Sequence, residues 1–300
     1  MAMNSINTNN GALIALQALN RTNDEMAVTQ KRVATGLRVA DAKDDGAAYA
    51  VAQQVRADMS ALTSANEQLG GSKGILDTTL AGLKKVSDTM TEIKGVLEKL
   101  GDSRVAGEER TSYNSQFAAL VNKVNRFVGD ATYNGSTLLT TDDMAGTAIT
   151  AVRNERGDGY TIATTAGAGL TFDDAINVTE AGTTADADFT SALTAEEARA
   201  MLGSADDAAS LGTNKLFSTV QTAVNNAMNQ YGSDSKYVDA QVSYNKEKLD
   251  ALEGGLGSLI DADLAKESAR MQSLQIRQQL GTQSLSMANQ APQALLKLFG

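Results

Sequence analysis

Apolar side chains recur along this chain at helical spacing, strongly in its interior and weakly at its ends. Leu62, Leu69, Leu76, Leu83, Met90 and Leu97 stand seven residues apart, and Ala65, Ser72, Thr79, Val86, Ile93 and Leu100 follow each by three. A seven-residue repeat with two such positions returns both to one side of a helix, which is the seam of a coiled coil or bundle. Unbroken helix over that span runs roughly 60 Å at 1.5 Å per residue. Gly70, Gly71 and Gly74 each weaken it by about 1 kcal/mol relative to alanine, and are expected to mark close packing or slight bending. After the break "GDSRVAGEE", a shorter helix carries Tyr113, Phe117, Leu120, Val124 and Phe127 at alternating four- and three-residue steps. Asn134-Gly135 then marks a turn. Helix resumes near Leu216, with Val238, Val242, Leu249, Leu252, Leu256 and Leu259 in a seam interrupted at Asn245.

The ends follow the same spacing with less conviction. Leu19, Met26 and Val33 are seven apart, but Thr22 and Thr29 between them are polar. Half a seam makes a helix that is marginal alone in water. Leu264, Met271, Leu274, Leu285, Ala288, Leu295 and Phe299 fit one register near the other terminus, broken by Gln278, Gly281 and Pro292. Residues 1–20 hold no charged side chain, and from Gln278 onward only Lys297 is charged. Weak, uncharged, amphipathic ends are best satisfied by pairing with each other and with copies of themselves, since charge in such a seam is costly. The assembly residues read from this pattern are Leu13, Leu16, Leu19, Met26 and Val33 with Leu264, Met271, Leu274, Leu285, Ala288, Leu295 and Phe299.

The period shortens in the middle. "TAITAVRNERGDGYTIATTAG" alternates as two strands around a turn at Arg156–Gly159, and "LTAEEARAMLG" predicts a short helix capped by Thr194 with Glu197 closing a capping box. The expected fold is therefore mainly α: a long coiled-coil bundle formed by both chain ends, with a small α+β insert. Three nested domains follow: 1–40 with 262–300, 41–141 with 208–261, and an insert at 142–207.

Composition narrows the chemistry. The 300 residues include no His, no Cys and no Trp, and one Pro. Imidazole bases, thiolate nucleophiles and the commonest transition-metal ligands are thereby excluded, and neither a catalytic centre nor a cofactor is expected. The net charge is −10, and the segment Asp142–Asp207, with 13 acidic and 3 basic residues, accounts for all of it. Acidity argues against nucleic acid as a partner, and its placement predicts a separate, solvent-facing module. No apolar run is long enough to span a membrane, and the start lacks the basic and apolar regions of a secretory signal.

One stretch, "RVADAKDDGAAYAVAQQVRAD" from Arg38 to Asp58, crowds carboxylates before a helix. A calcium loop beginning at Asp41 would place Asp45 and Gly46 correctly, but Lys43 and Ala52 fall where ligands belong. A catalytic Asp44/Asp45 pair fails too, because adjacent side chains on a helix diverge by about 100°. Asp41, Asp44 and Asp45 are instead expected to cap the following helix at an inter-domain joint. Arg156-Gly157-Asp158 spells an adhesion tripeptide, but such triplets arise by chance and this one suits a hairpin turn.

"SINTNNGALIALQALNRT" (Ser5–Thr22), "VATGLRVADAKDDGAAYAVAQQVRADM" (Val33–Met59) and "SLIDADLAKESARMQSLQIRQQLGTQSLSMANQAPQALLKLF" (Ser258–Phe299) strongly resemble bacterial flagellin over residues 1–140 and 207–300. The resemblance implies a structural, non-enzymatic subunit that leaves the cell unfolded, without a cleaved signal peptide. It then polymerises with its own copies into the extracellular flagellar filament. The partners implied are a filament cap, hook–filament junction proteins, an export chaperone and the type III export apparatus. A junction protein of the same superfamily is the alternative. The terminal helices would form the innermost layer, and the joint would touch neighbouring subunits. Many flagellins also carry a patch bound by an animal immune receptor. Here "SDTMTEI" (Ser87–Ile93) stands at that place, keeping Glu92 but with Thr89 where the key arginine is expected, which implies weak or absent receptor activation.

Overall fold

The computed structural model describes residues 9–140, 148–166, 193–203 and 217–299. Helix α1 spans Asn10–Thr35, α2 Gly46–Leu100 and α3 Gly107–Gly129. Six short strands follow: β1 (Thr132–Tyr133), β2 (Ser136–Thr137), β3 (Leu139–Thr140), β4 (Ile149–Val152), β5 (Gly159–Ile162) and β6 (Thr165–Ala166). Helices α4 (Ala195–Leu202), α5 (Phe217–Ile260) and α6 (Leu264–Phe299) complete the described chain, which is mainly α with a small strand-bearing middle. Two compact units result, one of residues 1–59 and 249–300, the other of 60–248. Their boundaries fall inside α2 and α5.

In the larger unit, all twelve heptad positions of α2 from Leu62 to Leu100 are buried. Eight of them, Leu69, Leu76, Leu83, Val86, Met90, Ile93, Leu97 and Leu100, share one core with Phe117, Leu120, Val121, Val124 and Val128 of α3 and Val220, Val224, Tyr231 and Val238 of α5. The glycines behave unequally. A Cβ on Gly74 would come within 2.7 Å of the Tyr133 ring, whereas Gly70 and Gly71 face open space. Only Gly74 of the three marks close packing. Gly82, unremarked in the sequence pattern, does the same against Ala131 at 2.8 Å.

Asn134 and Gly135 both have positive φ, 50° and 77°, and join β1 to β2 as a two-residue hairpin turn. That backbone twist matches paired strands, and it is open to Asn and Gly. β4 and β5 pair antiparallel as the alternation predicts, with Ile149 opposite Ile162 and Val152 opposite Gly159, while β3 pairs parallel with β6. Thr194 and Glu197 form the expected capping box on α4.

The described parts of the insert are packed rather than separate. Ala151, Ile162, Leu193, Ala198 and Met201 belong to the same core as the long helices. Tyr160 stacks on Tyr237 of α5 with ring centroids 4.2 Å apart, and its hydroxyl donates to Asp234 at 2.7 Å. Burial, reinforced by the Asp234 carboxylate, pushes the Tyr160 hydroxyl well above its ordinary pKa. The remainder of the proposed 142–207 module lies outside the described residues.

Candidate assembly interface

In the smaller unit α1 and α6 lie side by side. Asn9 Nδ2 donates to the Ala288 carbonyl at 2.7 Å, Gln278 Nε2 to Asn23 Oδ1 at 2.9 Å, and Arg32 pairs with Glu267 at 3.4 Å. As the α1 number rises the α6 number falls in step, so the helices are antiparallel in one register. A Cβ on Gly281 would meet Leu19 Cδ1 at 3.2 Å, which makes this glycine part of the close approach rather than a break in the seam.

The inward side of α1 holds Ala12, Ala15, Leu19, Thr22, Met26, Thr29 and Val33, all partly or fully buried. Across from it stand Glu267, Met271, Leu274, Gln278, Gly281, Leu285 and Ala288. Both series step by three and four, so the seam is a heptad seam whose polar members are included rather than skipped. Thr22 satisfies its hydroxyl on the preceding turn, Oγ1 donating to the Ala18 carbonyl at 2.9 Å. Charge is present as well: Glu267 is 9% exposed. Its Oε2 and Arg32 Nε are buried without a partner, so the pairing offsets only part of the desolvation.

Of the residues expected in the assembly set, Leu19, Met26, Val33, Met271, Leu274, Leu285 and Ala288 lie in this intramolecular seam. Leu13, Leu16 and Leu264 do not; they are 59%, 43% and 49% exposed. Leu295 and Phe299 lie on α6 outside the described side chains. The single-stripe reading also omitted Ile14, Val28, Ile276, Leu280 and Met287, all exposed. At about 100° per residue, Ile276, Leu280 and Met287 share an arc of about 40° centred some 140° from Leu274, Gly281 and Leu285. On α1, by the same arithmetic, Leu13, Ile14 and Val28 lie about 120–160° from the centre of Leu19, Met26 and Val33, over an arc of about 100°. Each helix therefore has two apolar sides, one facing its mate and one facing outward. A second apolar stripe on the same wheel was the signal that could have found it.

The joint resolves residue by residue. Gly36, at φ 73°, ends α1 with its N–H on the Arg32 carbonyl, a left-handed cap that suits glycine. The chain then pairs with the α5–α6 connection: Arg38 and Val39 N–H both donate to the Ile260 carbonyl, and Ala262 N–H donates to the Gly36 carbonyl. Val39, Ala48, Ala52 and Ile260 form a small core beneath it. Asp45 Oδ1 accepts from Ala47 and Ala48 N–H at 3.1 and 3.0 Å, capping α2. Asp44 Oδ2 accepts from Ala40 and Asp41 N–H, and Asp41 Oδ1 from Lys43 and Asp44 N–H. Lys31 Nζ sits 2.6 Å from Asp41 and 3.1 Å from Asp44. Lys31 holds the Asp41 carboxyl below the usual range, the Ala40 amide and then Lys31 do so for Asp44, and the two carboxylates raise Lys31. These oxygens are engaged in shaping the loop. Among the described residues, no cluster of acidic side chains is arranged to hold a metal.

Two surface motifs change meaning. Thr89 is 1% exposed and its hydroxyl donates to the Lys85 carbonyl at 2.8 Å, so it faces the core and cannot stand in for a receptor-facing arginine. Glu92 is exposed, with Lys123 3.6 Å away. In the Arg156-Gly157-Asp158 triplet, Asp158 Oδ2 already accepts from Asn154 Nδ2 at 2.7 Å, and Gly157 adopts φ 82° in the hairpin turn.

Comparison with known proteins adds the family. The bacterial flagellin N-terminal helical region matches residues 6–143 and the C-terminal helical region matches 215–299. Flagellin FljK of Caulobacter vibrioides is 34% identical over all of both chains. A flagellin of Brucella melitensis is 32% identical over 99% of each, and flagellin C of Rhizobium meliloti is 30% identical over 99% of each. Likeness to a Bacillus cereus flagellin crystal structure is slight, at 13% identity and a TM-score of 0.33 over 68% of this chain and 94% of that one. With both terminal regions matched and relatives aligned from end to end, the chain belongs to the bacterial flagellin family.

Proposed function

We propose that the chain is the structural subunit of a bacterial flagellar filament, without catalytic activity, exported unfolded and assembled outside the cell with its own copies. The observation that carries this reading is the second apolar side on both α1 and α6. A dimer would need one such side on the pair. Apolar residues on both outward faces suit a chain packed between neighbours on either side, which generates a ring or an open helix. In the intramolecular seam only Thr29, Glu267 and Leu274 are fully buried, and the larger apolar residues alternate with alanine, threonine, glutamine and glycine, so assembly would supply the stabilisation that ordering the ends requires. Leu13, Leu16 and Leu264 act in this reading as inter-subunit residues, and Leu19, Met26, Val33, Met271, Leu274, Leu285 and Ala288 hold the pair together. The filament cap, junction proteins, chaperone and export apparatus remain the partners expected of such a subunit. Among the described helices none is long and apolar enough to cross a membrane. The junction-protein alternative draws no support from full-length relatives that carry the name flagellin.

Electron microscopy of the purified full chain after seeding tests the proposal: filaments are expected. Removing residues 278–300 should abolish them while leaving the melting of the 60–248 unit in place. Filaments of ordinary length from that truncation would defeat it.

A further inference from the structure

The larger unit poses a problem of register. Phe217, Val224, Tyr231, Val238 and Asn245 are spaced by seven along α5, and each is at most 4% exposed. α2 repeats with the same period. Sliding one such helix past the other by seven residues, about 10 Å, sets apolar positions against apolar positions again. Burial of apolar area therefore discriminates poorly between registers. The amides do discriminate.

Asn245 is the polar member of its series and is fully buried. Its Nδ2 donates to Asn66 Oδ1 of α2 at 2.9 Å and to the Arg153 carbonyl of the β4–β5 turn at 2.9 Å, and its Oδ1 accepts from Gln241 Nε2 at 2.9 Å. The same turn reaches both helices: Val152 N–H donates to Gln68 Oε1 of α2, and Glu155 pairs with Lys248 of α5 at 2.6 Å. We infer that the Asn66–Asn245 amide pair, closed over by the Arg153 carbonyl, is a register lock that selects one alignment of α2 with α5. A slip by one heptad parts Asn245 from Asn66 and, because the turn is held to both helices, also breaks either the Asn245–Arg153 bond or the Val152–Gln68 bond, which is costly. The half-exposed Lys73–Asp239 pair, 2.8 Å apart, adds little discrimination. Chains that share a regular lattice must share one shape, and the lock supplies that uniformity. The inference stands whether or not the filament reading does.

The chain has no cysteine, so spin labels report cleanly. Lys84 and Ser243 are exposed, and K84C/S243C places labels on α2 and α5 roughly 24 Å apart along the axis. Pulsed electron–electron resonance should give one distance in the parent. Adding N66L/N245L should preserve helicity and introduce a second population displaced by about 10 Å, enriched about tenfold or more. A single, unmoved distance overturns the lock, whatever happens to the melting temperature. If that variant does not fold, V238N/N245V decides: moving the amide one heptad should move the distance, and an unmoved one refutes the inference.

Discussion

Replacing Leu280 by Gln probes the outward stripe of α6 with the least disturbance to the single chain. Leu280 is 58% exposed, between Ile276 at 59% and Met287 at 66%, and faces away from α1. Burying a leucine side chain fully is worth about 1.5–3 kcal/mol, so the exposed share leaves roughly 1–2 kcal/mol to be gained when a neighbour covers it. Leu280→Gln forfeits that gain at each contact. At 1.4 kcal/mol per tenfold, the concentration of chain coexisting with polymer should rise about 5- to 30-fold. Adding Ile276→Gln should raise the plateau further but by less than the square of the factor, since the two are neighbours one turn apart on the same stripe. The assay is sedimentation of seeded polymer over a range of total concentrations, reading the plateau of unsedimented chain. Circular dichroism of the dilute chain should not change. A plateau unmoved in the double variant would refute the claim that this stripe is covered by a neighbouring copy.

Thr89→Arg inserts a charge into the core of the larger unit and should destabilise it by about 3 kcal/mol or more, visible as a lower urea midpoint at unchanged slope; a loss under about 0.5 kcal/mol would mean Thr89 is not buried. Tyr160→Phe keeps the stack on Tyr237 but loses the bond to Asp234, and should weaken the β4–β5 hairpin by about 1 kcal/mol, read by hydrogen exchange at residues 149–162. Because the Tyr160 hydroxyl titrates above its unfolded value near 10, its contribution is present below that pH and disappears as pH rises through the raised value, so the phenylalanine variant should lack this alkaline loss. At the joint the signs run both ways. The depressed Asp41 and Asp44 contribute above the unfolded carboxylate value near 4 and lose that contribution as pH falls through their lowered values, while Lys31 contributes below about 10.4 and is lost as pH rises through its raised value. Amide protection over residues 37–45, taken relative to the intrinsic exchange rate at each pH, should be greatest between those limits and independent of pH in Lys31→Met/Asp41→Asn/Asp44→Asn.

The sequence by itself determined the long helices, because periodicity is a local property: every heptad residue from Leu62 to Leu100 is buried, and the Asn134-Gly135 turn and the Thr194–Glu197 box depend on neighbours within four residues. It also determined that Asp45 caps α2, since a cap needs only the helix that follows it. The tertiary structure decided which side of a weakly patterned helix faces inward. Thr22, Thr29, Glu267, Gln278 and Gly281 take seam positions on α1 and α6 because their partners across the interface tolerate them, whereas Leu13 and Leu264 are left outside. Hydrophobicity cannot rank two faces that are both apolar; the mate's shape does. For the same reason a buried threonine at 89 looked like a surface substitution, Asn245 looked like an interruption, and the β4–β5 turn looked detached. Asn245 and the β4–β5 turn are fixed by partners tens of residues away or more, and no window on the chain contains both halves of such a contact.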